Sequence, residues 1–247
     1  MSLPALPSHF TNLGPTRSSL QLLATHVLAR ARFEVTGRFG LLPDADGGLK
    51  TPEFDGRVLV LRLDGHGAAL HDSANGSTLA PSTLAAAAEW AGVDMTATFS
   101  AGTDTPAVGD PEQPLELHGH ACGLLGAWFA LSATVLGPLA SAQQDSSGVQ
   151  LWPEHFDAAF DTAFGAESGQ RANVGMSPGD SSSAEPYAYV GPWTPDRPGS
   201  DGYWNASFGA RLLYSAVLRS ATKEHDAAAV VASFLTEGLT RLAGTSA

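Results

Sequence analysis

The sequence predicts an α+β fold, mainly an antiparallel sheet packed by helices. Apolar residues recur at helical spacing near both ends of the chain and in its middle, and the strand-like segments between them are separated by short turns. Strands joined by short turns pair antiparallel, whereas parallel strands need long crossovers. Both sides of residue 100 follow the order helix, two or three strands, helix, which suggests two similar α-β-β-(β)-α halves.

Composition divides the 247 residues into four parts. Residues 1–16 contain three prolines and no periodicity, which predicts an extended N-terminal arm. Residues 17–99 are the predicted first α+β half, and the Gly-, Asp- and Pro-rich segment 100–114 is the predicted linker. Residues 115–247 are the predicted second α+β half, which contains the candidate cleft.

The first half begins with apolar residues at helical spacing, which predict a helix over 18–30. Alternating character then predicts a strand over 32–39. The β-rich segments 58–63 and 68–70 flank an Asp-Gly-His-Gly sequence, which is typical of a hairpin. An Ala-rich helix is predicted over 82–91, because a proline precedes it and a glycine follows it.

The second half begins with an apolar helix predicted near 117–140. Residues 121–140 carry no charge and are about long enough to span a bilayer. No Lys or Arg lies within thirty residues of either end, and Gly137 and Pro138 fall inside the stretch. We therefore expect a buried core helix rather than a membrane span.

Strand candidates follow at 149–164, 172–177 and 187–193, and a helix closes the chain from residue 226. Residues 210–218 fit either a strand or the start of a helix.

The segment 153–164 has two interpretations. As a strand, it would pair with 171–177 across a loop flanked by glycines. As a helix, it would begin at Pro153, repeat Phe every four residues and end at Gly165. The strand is our prediction.

The charge of the chain excludes several classes of partner. The formal net charge is −12, and no Lys or Arg occurs between Arg62 and Arg171, where thirteen Asp and Glu residues lie. Nucleic acid and anionic membranes bind clustered Lys and Arg, so neither is a predicted partner. No nucleotide-binding or zinc motif is present, so no cofactor is predicted. The residues predict no oligomeric state.

The cysteine content and the opening residues bear on the compartment. Cys122 is the only cysteine, so the chain has no internal disulfide. The first ten residues have neither the basic nor the apolar region of a secretory signal. A cytoplasmic location is expected.

A G-x-S-x-G pattern at 175–179 invites comparison with the nucleophile elbow of esterases, and His225 lies downstream in the matching order. The residue after the nucleophile must donate its backbone N–H to the oxyanion hole, and Pro178 has none. We predict a Pro-Gly turn that ends a strand instead.

The stretch 152–157 is the most site-like part of the sequence. In a strand, His155, Asp157 and Asp161 share one face, so an imidazole and carboxylates would stand side by side. Such a set would suit a base or a metal, and His155 and Asp157 with His225 would suit an iron site.

Further acids lie between the next two predicted strands. The candidate catalytic residues are therefore His155, Asp157, Asp180 and Glu185. The candidate metal ligands are His155 and Asp157, but the motif is too short to favour a metal.

Aromatic residues accompany these acids. Trp152 begins the stretch, alternation places Tyr187 and Tyr189 on one side of their strand, and Trp193 and Trp204 follow. We predict that these five residues bind a ligand in a cleft between the strands and the tail.

The chain contains the motifs W-P-E-H-F-D at 152–157, S-P-G-D at 177–180 and E-P-Y-A-Y-V at 185–190. Together they resemble an uncharacterised, largely actinobacterial family of bacterial domains of unknown function. Its pattern is an aromatic residue, a Phe-Asp strand, a Pro-Gly turn and a Tyr-x-Tyr-Val strand. Many relatives carry Asn-His-Trp-Trp after the first strand, where this chain has Gly-Leu-Leu-Pro at 40–43. The resemblance implies a fold and a candidate cleft rather than a reaction.

These observations favour a soluble, globular small-molecule-binding protein of unknown function. One alternative is a metal-assisted hydrolase or related enzyme that uses His155 and Asp157. Another is a non-catalytic module that binds a partner protein. A bound metal would indicate the hydrolase, and a concave pocket would separate small-molecule binding from partner binding. The residues leave open whether the chain is an enzyme.

Overall fold

The computed structural model describes residues 3–6, 12–167, 169–195, 197–198, 202–222 and 226–244. They form helices packed against two antiparallel five-stranded sheets, which confirms the α+β prediction. Each half contains helix, five strands and helix in that order. The helices are α1 (Leu13–Leu23), a π-helical segment (Ala24–Ala29), α2 (Arg30–Thr36), α3 (Leu84–Ala91), α4 (Gly119–Ser141), α5 (Tyr214–Ser220) and α6 (Ala227–Gly244). The strands are β1 (Leu42–Pro43), β2 (Gly48–Lys50), β3 (Leu59–Asp64), β4 (Gly67–Asp72), β5 (Thr78–Leu79), β6 (Gln150–Trp152), β7 (Asp157–Ala163), β8 (Arg171–Ser177), β9 (Tyr187–Pro192) and β10 (Ala210–Leu213).

Both sheets are meanders in which each strand pairs with the next along the chain. The first sheet has the order β1 to β5, and the second has the order β6 to β10. Leu41 and Leu151 exchange two backbone hydrogen bonds of 2.9 and 2.8 Å, next to β1 and β6 respectively. This bridge joins the two sheets along their first strands.

Helix α4 lies in a core that is continuous with both sheets. Trp128 and Phe129 are fully buried, and the Trp128 indole N–H donates to the Ser177 carbonyl at 2.8 Å. By length and composition α4 could cross a membrane, but 61% of its most apolar 18-residue window is buried inside the protein. The prediction of a buried core helix is therefore confirmed.

Helix α1, the π-helical segment and α2 follow one another without a break, and together we call them the first helical segment. This segment is longer than the sequence predicted. Helix α1 begins at Leu13, so the predicted extended arm ends before that residue. The predicted strand over 32–39 is wrong, because these residues continue the helix to Thr36. The buried Arg30 donates to the carbonyls of Asp94 and Ala97, and these tertiary contacts override the alternating pattern.

The predicted strand over 149–164 is a hairpin. Strand β6 ends at Trp152, residues 153–156 form a turn, and β7 begins at Asp157. The prediction of pairing with 171–177 is right for β7 and wrong for 153–156. The helical alternative is wrong. Phe156 causes the break, because its φ of +58° lies in the left-handed region and its N–H bonds the Trp152 carbonyl at 2.6 Å.

Close packing between α4 and β3 can be tested with two glycines of the same helix. A Cβ added at Gly126 would lie 2.5 Å from the Leu63 carbonyl oxygen, whereas one at Gly137 would meet nothing within 4 Å. We expect Gly126→Ala to lower the free energy of unfolding by about 1–3 kcal/mol. The control Gly137→Ala should change it by less than about 1 kcal/mol. Urea denaturation measures both, and equal effects would contradict the close approach.

Candidate functional site

A cavity of about 1020 Å³ lies over one face of the second sheet. Strands β7, β8 and β9 form its floor, and α1 contributes Arg17 and Gln21 to its wall. A smaller cavity of about 380 Å³ adjoins it and shares several lining residues with it. We call these the large cavity and the small cavity. The shared lining residues are Glu154, His155, Asp157, Asn173, Tyr189 and Trp193.

Strand register explains how the floor forms. Gly175 of β8 lies between Ala159 of β7 and Tyr189 of β9. A Cβ added at Gly175 would lie 2.7 Å from atoms of the Tyr189 ring. Glycine at this position therefore allows the ring to lie flat across β8.

The Tyr189 ring reaches Asp157 at the start of β7. Its hydroxyl donates to Asp157 Oδ2, and Asp157 Oδ1 has no hydrogen-bond partner among the described residues. Only 9% of Asp157 is exposed, and this burial raises the pKa of its carboxyl even though the Tyr189 hydrogen bond opposes the shift. Burial and the Asp157 charge raise the pKa of Tyr189 well above its usual value.

A second tyrosine–aspartate pair lies beside the first. The Tyr187 hydroxyl donates to Asp180 Oδ2 at 2.5 Å, while Asp180 Oδ1 accepts from the N–H and hydroxyl of Ser182. Burial raises the pKa of Asp180, but the hydrogen bonds from Tyr187 and Ser182 outweigh it, and the pKa is lowered. Asp157 and Asp180 thus face the same cavity with opposite pKa shifts.

The turn at 153–156 is held against the first helical segment. The Thr25 hydroxyl donates to the Pro153 carbonyl at 2.9 Å, and the Gln21 amide donates to the Glu154 carbonyl at 2.7 Å. Thr25 belongs to the π-helical segment, a rare conformation that is frequent at functional sites. The strained Phe156 packs its ring edge-on against Phe129 in the core.

Glu154 is a site residue that the sequence analysis missed. Only 8% of it is exposed, and its Oε2 atom has no hydrogen-bond partner among the described residues. Burial raises the pKa of its carboxyl. A continuous strand would have placed Glu154 on the core face with the phenylalanines, and the turn instead directs it to both cavities. The sequence feature that could have identified Glu154 is its position as an acidic residue between Trp152 and Asp157.

Arg17 is the other residue that sequence reasoning missed. It lines the large cavity, and its Nη1 atom is buried without a hydrogen-bond partner in the described part of the chain. A Cβ on Gly179 would lie 2.7 Å from this atom, so the glycine makes room for the guanidinium. Burial lowers the pKa of Arg17, and the charge of Asp180 opposes that shift.

His155 lines both cavities but does not share a strand face with Asp157. It lies in the turn, its side chain is 54% exposed, and its Nδ1 is 3.7 Å from Asp104 Oδ2. Asp161 is paired with Arg171. The predicted row is therefore right for Asp157 and Asp161, which share one face of β7 and line the small cavity. It is wrong for His155, because the turn reorients the imidazole.

The structure separates two predicted residues from the cavities. Glu185 accepts hydrogen bonds from the N–H and hydroxyl of Ser215 at 2.7 and 3.1 Å, where α5 begins. The Trp204 indole donates to the Pro198 carbonyl and packs against Tyr203, and it lines neither cavity. His225 lies outside the described residues.

The other predicted binding residues line the cavities. Tyr187, Tyr189 and Trp193 line the large cavity, and Trp152 lines the small one. The Trp193 ring is largely exposed, and its indole N–H donates to Asn173 Oδ1 at 2.9 Å. Within the described residues, no three His, Cys, Asp or Glu side chains lie close enough together to hold a metal ion.

Comparison of the chain with protein-family models, curated proteins and solved structures gives no match. The resemblance to an actinobacterial family therefore stays a prediction.

Removing the Glu154 charge should stabilise the protein in a pH-dependent way. Burial raises the folded-state pKa of Glu154 above its unfolded value, so stability is lost as pH rises through the folded pKa. The glutamine of Glu154→Gln cannot ionise. The melting temperature of this variant, relative to that of wild type, should therefore rise as the pH is raised from about 4 to about 8. A difference of 1 kcal/mol would appear as about 2–4 °C in a chain of this size.

Differential scanning calorimetry at several pH values measures this trend. The matched control is Glu53→Gln, which removes the same formal charge at an exposed position outside both cavities. A similar trend in both variants would assign the effect to net charge and contradict the role of burial at Glu154.

Proposed function

We propose that this chain is a soluble, cytoplasmic bacterial protein that binds a small molecule in the two adjoining cavities. The observation that carries the proposal is a set of three ionisable side chains around one cavity, each with one buried polar atom. Arg17 Nη1, Glu154 Oε2 and Asp157 Oδ1 each lack a hydrogen-bond partner among the described residues, and all three residues line the large cavity. Buried polar atoms in folded proteins nearly always have partners, so such a set is typical of groups that receive a ligand.

The size and composition of the large cavity support the same proposal. Ligand cavities usually measure about 300–1,000 Å³ and combine apolar walls with a few polar groups. Here the large cavity measures about 1020 Å³, and Tyr187, Tyr189 and Phe208 form an aromatic cluster in it. The concave shape favours a small molecule over a partner protein.

The metal-assisted hydrolase finds less support in the site. Its residues would have to converge, but His155 lies against Asp104 and Glu185 is bonded to Ser215. No observation of the described site favours that alternative over simple binding.

A blocked variant tests small-molecule binding. Asn173 is exposed and lines both cavities, so Asn173→Trp should fill their common entrance. In a fragment library screened by saturation-transfer NMR, we expect most fragments that bind wild type to bind this variant at least about tenfold more weakly, a loss of about 1.4 kcal/mol.

The matched control is Ala69→Trp, an exposed position on β4 of the other sheet that lines neither cavity. It should retain the fragments. Equal binding to wild type and Asn173→Trp would overturn the proposed function.

A further inference from the structure

The small cavity is lined by acidic residues without the arginines that line the large cavity. Arg17 and Arg197 line the large cavity only. The small cavity is lined by three acids, Glu154, Asp157 and Asp161, and by His155, but by neither Lys nor Arg among the described residues. Its chemistry therefore favours a positively charged ligand group.

Two carboxyls of the small cavity form no salt bridge with Lys or Arg among the described residues. Asp161 already pairs with Arg171, and the Arg171 guanidinium also bonds Asp145 at 2.7 Å. Glu154 and Asp157 have no Lys or Arg partner among the described residues, and the exposed His155 is the basic residue that lines the cavity with them. Each is more than nine-tenths buried and keeps one oxygen without a hydrogen-bond donor among the described residues. An ionised, buried carboxylate is costly unless a cation or several donors contact it.

Aromatic rings stand around these carboxyls. Trp152, Tyr189 and Trp193 line the small cavity with Glu154 and Asp157. Trp152 and Trp193 are two of the four exposed large hydrophobic residues of the described chain, and both lie at this cavity. The Arg171 guanidinium already lies over the Trp193 ring, 5.7 Å from its centre. Exposed tryptophans also contact the apolar part of a ligand.

We propose that the ligand is an organic amine in its protonated form, whose ammonium group contacts Glu154 and Asp157 and whose apolar part contacts Trp152 and Trp193. This assignment rests on the proposed function, since it names the class of small molecule that the site binds. The ammonium group supplies hydrogen-bond donors to both unpartnered oxygens, and its charge compensates both carboxylates. Ionisation of the pair is then favoured in the complex.

Matched pairs of amines and alcohols test the proposal by isothermal titration calorimetry at pH 7.5. The probes are benzylamine with benzyl alcohol, 2-phenylethylamine with 2-phenylethanol, and 1,4-diaminobutane with 1,4-butanediol. Members of a pair are similar in size and differ in charge. We expect at least one amine to bind wild type about tenfold or more tightly than its alcohol, because hydrogen bonds to charged groups are the stronger ones.

Two variants assign the preference to named atoms. Glu154→Gln and Asp157→Asn should each bring the amine and its alcohol to within about threefold of one another, because each removes one charge at the contact. Glu53→Gln is the control for net charge and should keep the full preference. Thermal unfolding of each variant verifies that it is folded.

The outcomes separate this inference from the proposed function. If no amine binds more tightly than its alcohol, or if Glu53→Gln weakens the preference as much as Glu154→Gln, the assignment of an amine is overturned. Fragments that still bind wild type and not Asn173→Trp would then leave small-molecule binding standing. If no fragment distinguishes wild type from Asn173→Trp, both proposals fail.

Discussion

Two hydrogen bonds from the first helical segment fix the turn on which the candidate site depends. Thr25 and Gln21 donate to the carbonyls of Pro153 and Glu154, which lie about 130 residues further along the chain. In a continuous strand these two carbonyls would accept hydrogen bonds from a neighbouring strand, and here they accept from side chains instead. Phe156, in the same turn, has a left-handed backbone conformation. The turn in turn directs Glu154 into both cavities and sets Asp157 as the first residue of β7.

The site is costly for the folded chain, and the surrounding structure accounts for its persistence. Glu154 and Asp157 are buried carboxyls with raised pKa values, so burial opposes their ionised forms. The Tyr189 hydroxyl stabilises only one oxygen of Asp157. The continuous hydrophobic core, which includes α4, stabilises the folded chain and offsets the cost of burying these two carboxyls. Groups that lower stability at a cavity are the expected signature of binding rather than of folding.

Local sequence patterns predicted the elements and part of the site. Asp157, Tyr187 and Tyr189 were found because strand alternation correctly places them on one face of neighbouring strands. Asp180 was found as an acid in the turn that follows β8. The turn at 153–156 could not be predicted, because the left-handed conformation of a phenylalanine is rare and depends on tertiary contacts.

Other residues escaped because no local pattern links them to the site. Arg17 comes from a helix near the start of the chain, and its approach depends on the space beside Gly179. The alternating pattern over 32–39 predicted a strand wrongly for a related reason. Arg30 donates to the carbonyls of Asp94 and Ala97, and these contacts favour continuation of the helix to Thr36. Contacts between distant segments decide both cases.

The large cavity is lined by residues from parts of the chain that the sequence analysis assigned to separate segments. Its floor belongs to the second sheet, but Arg17 and Gln21 come from the helix that precedes the first sheet, and Asp104 comes from the predicted linker. That linker is itself held against the π-helical segment, because the buried His26 ring donates to the Pro106 carbonyl at 2.7 Å. The first helical segment therefore contacts the linker and the turn at once. Through these contacts the first half of the chain contributes directly to the cavity over the second sheet.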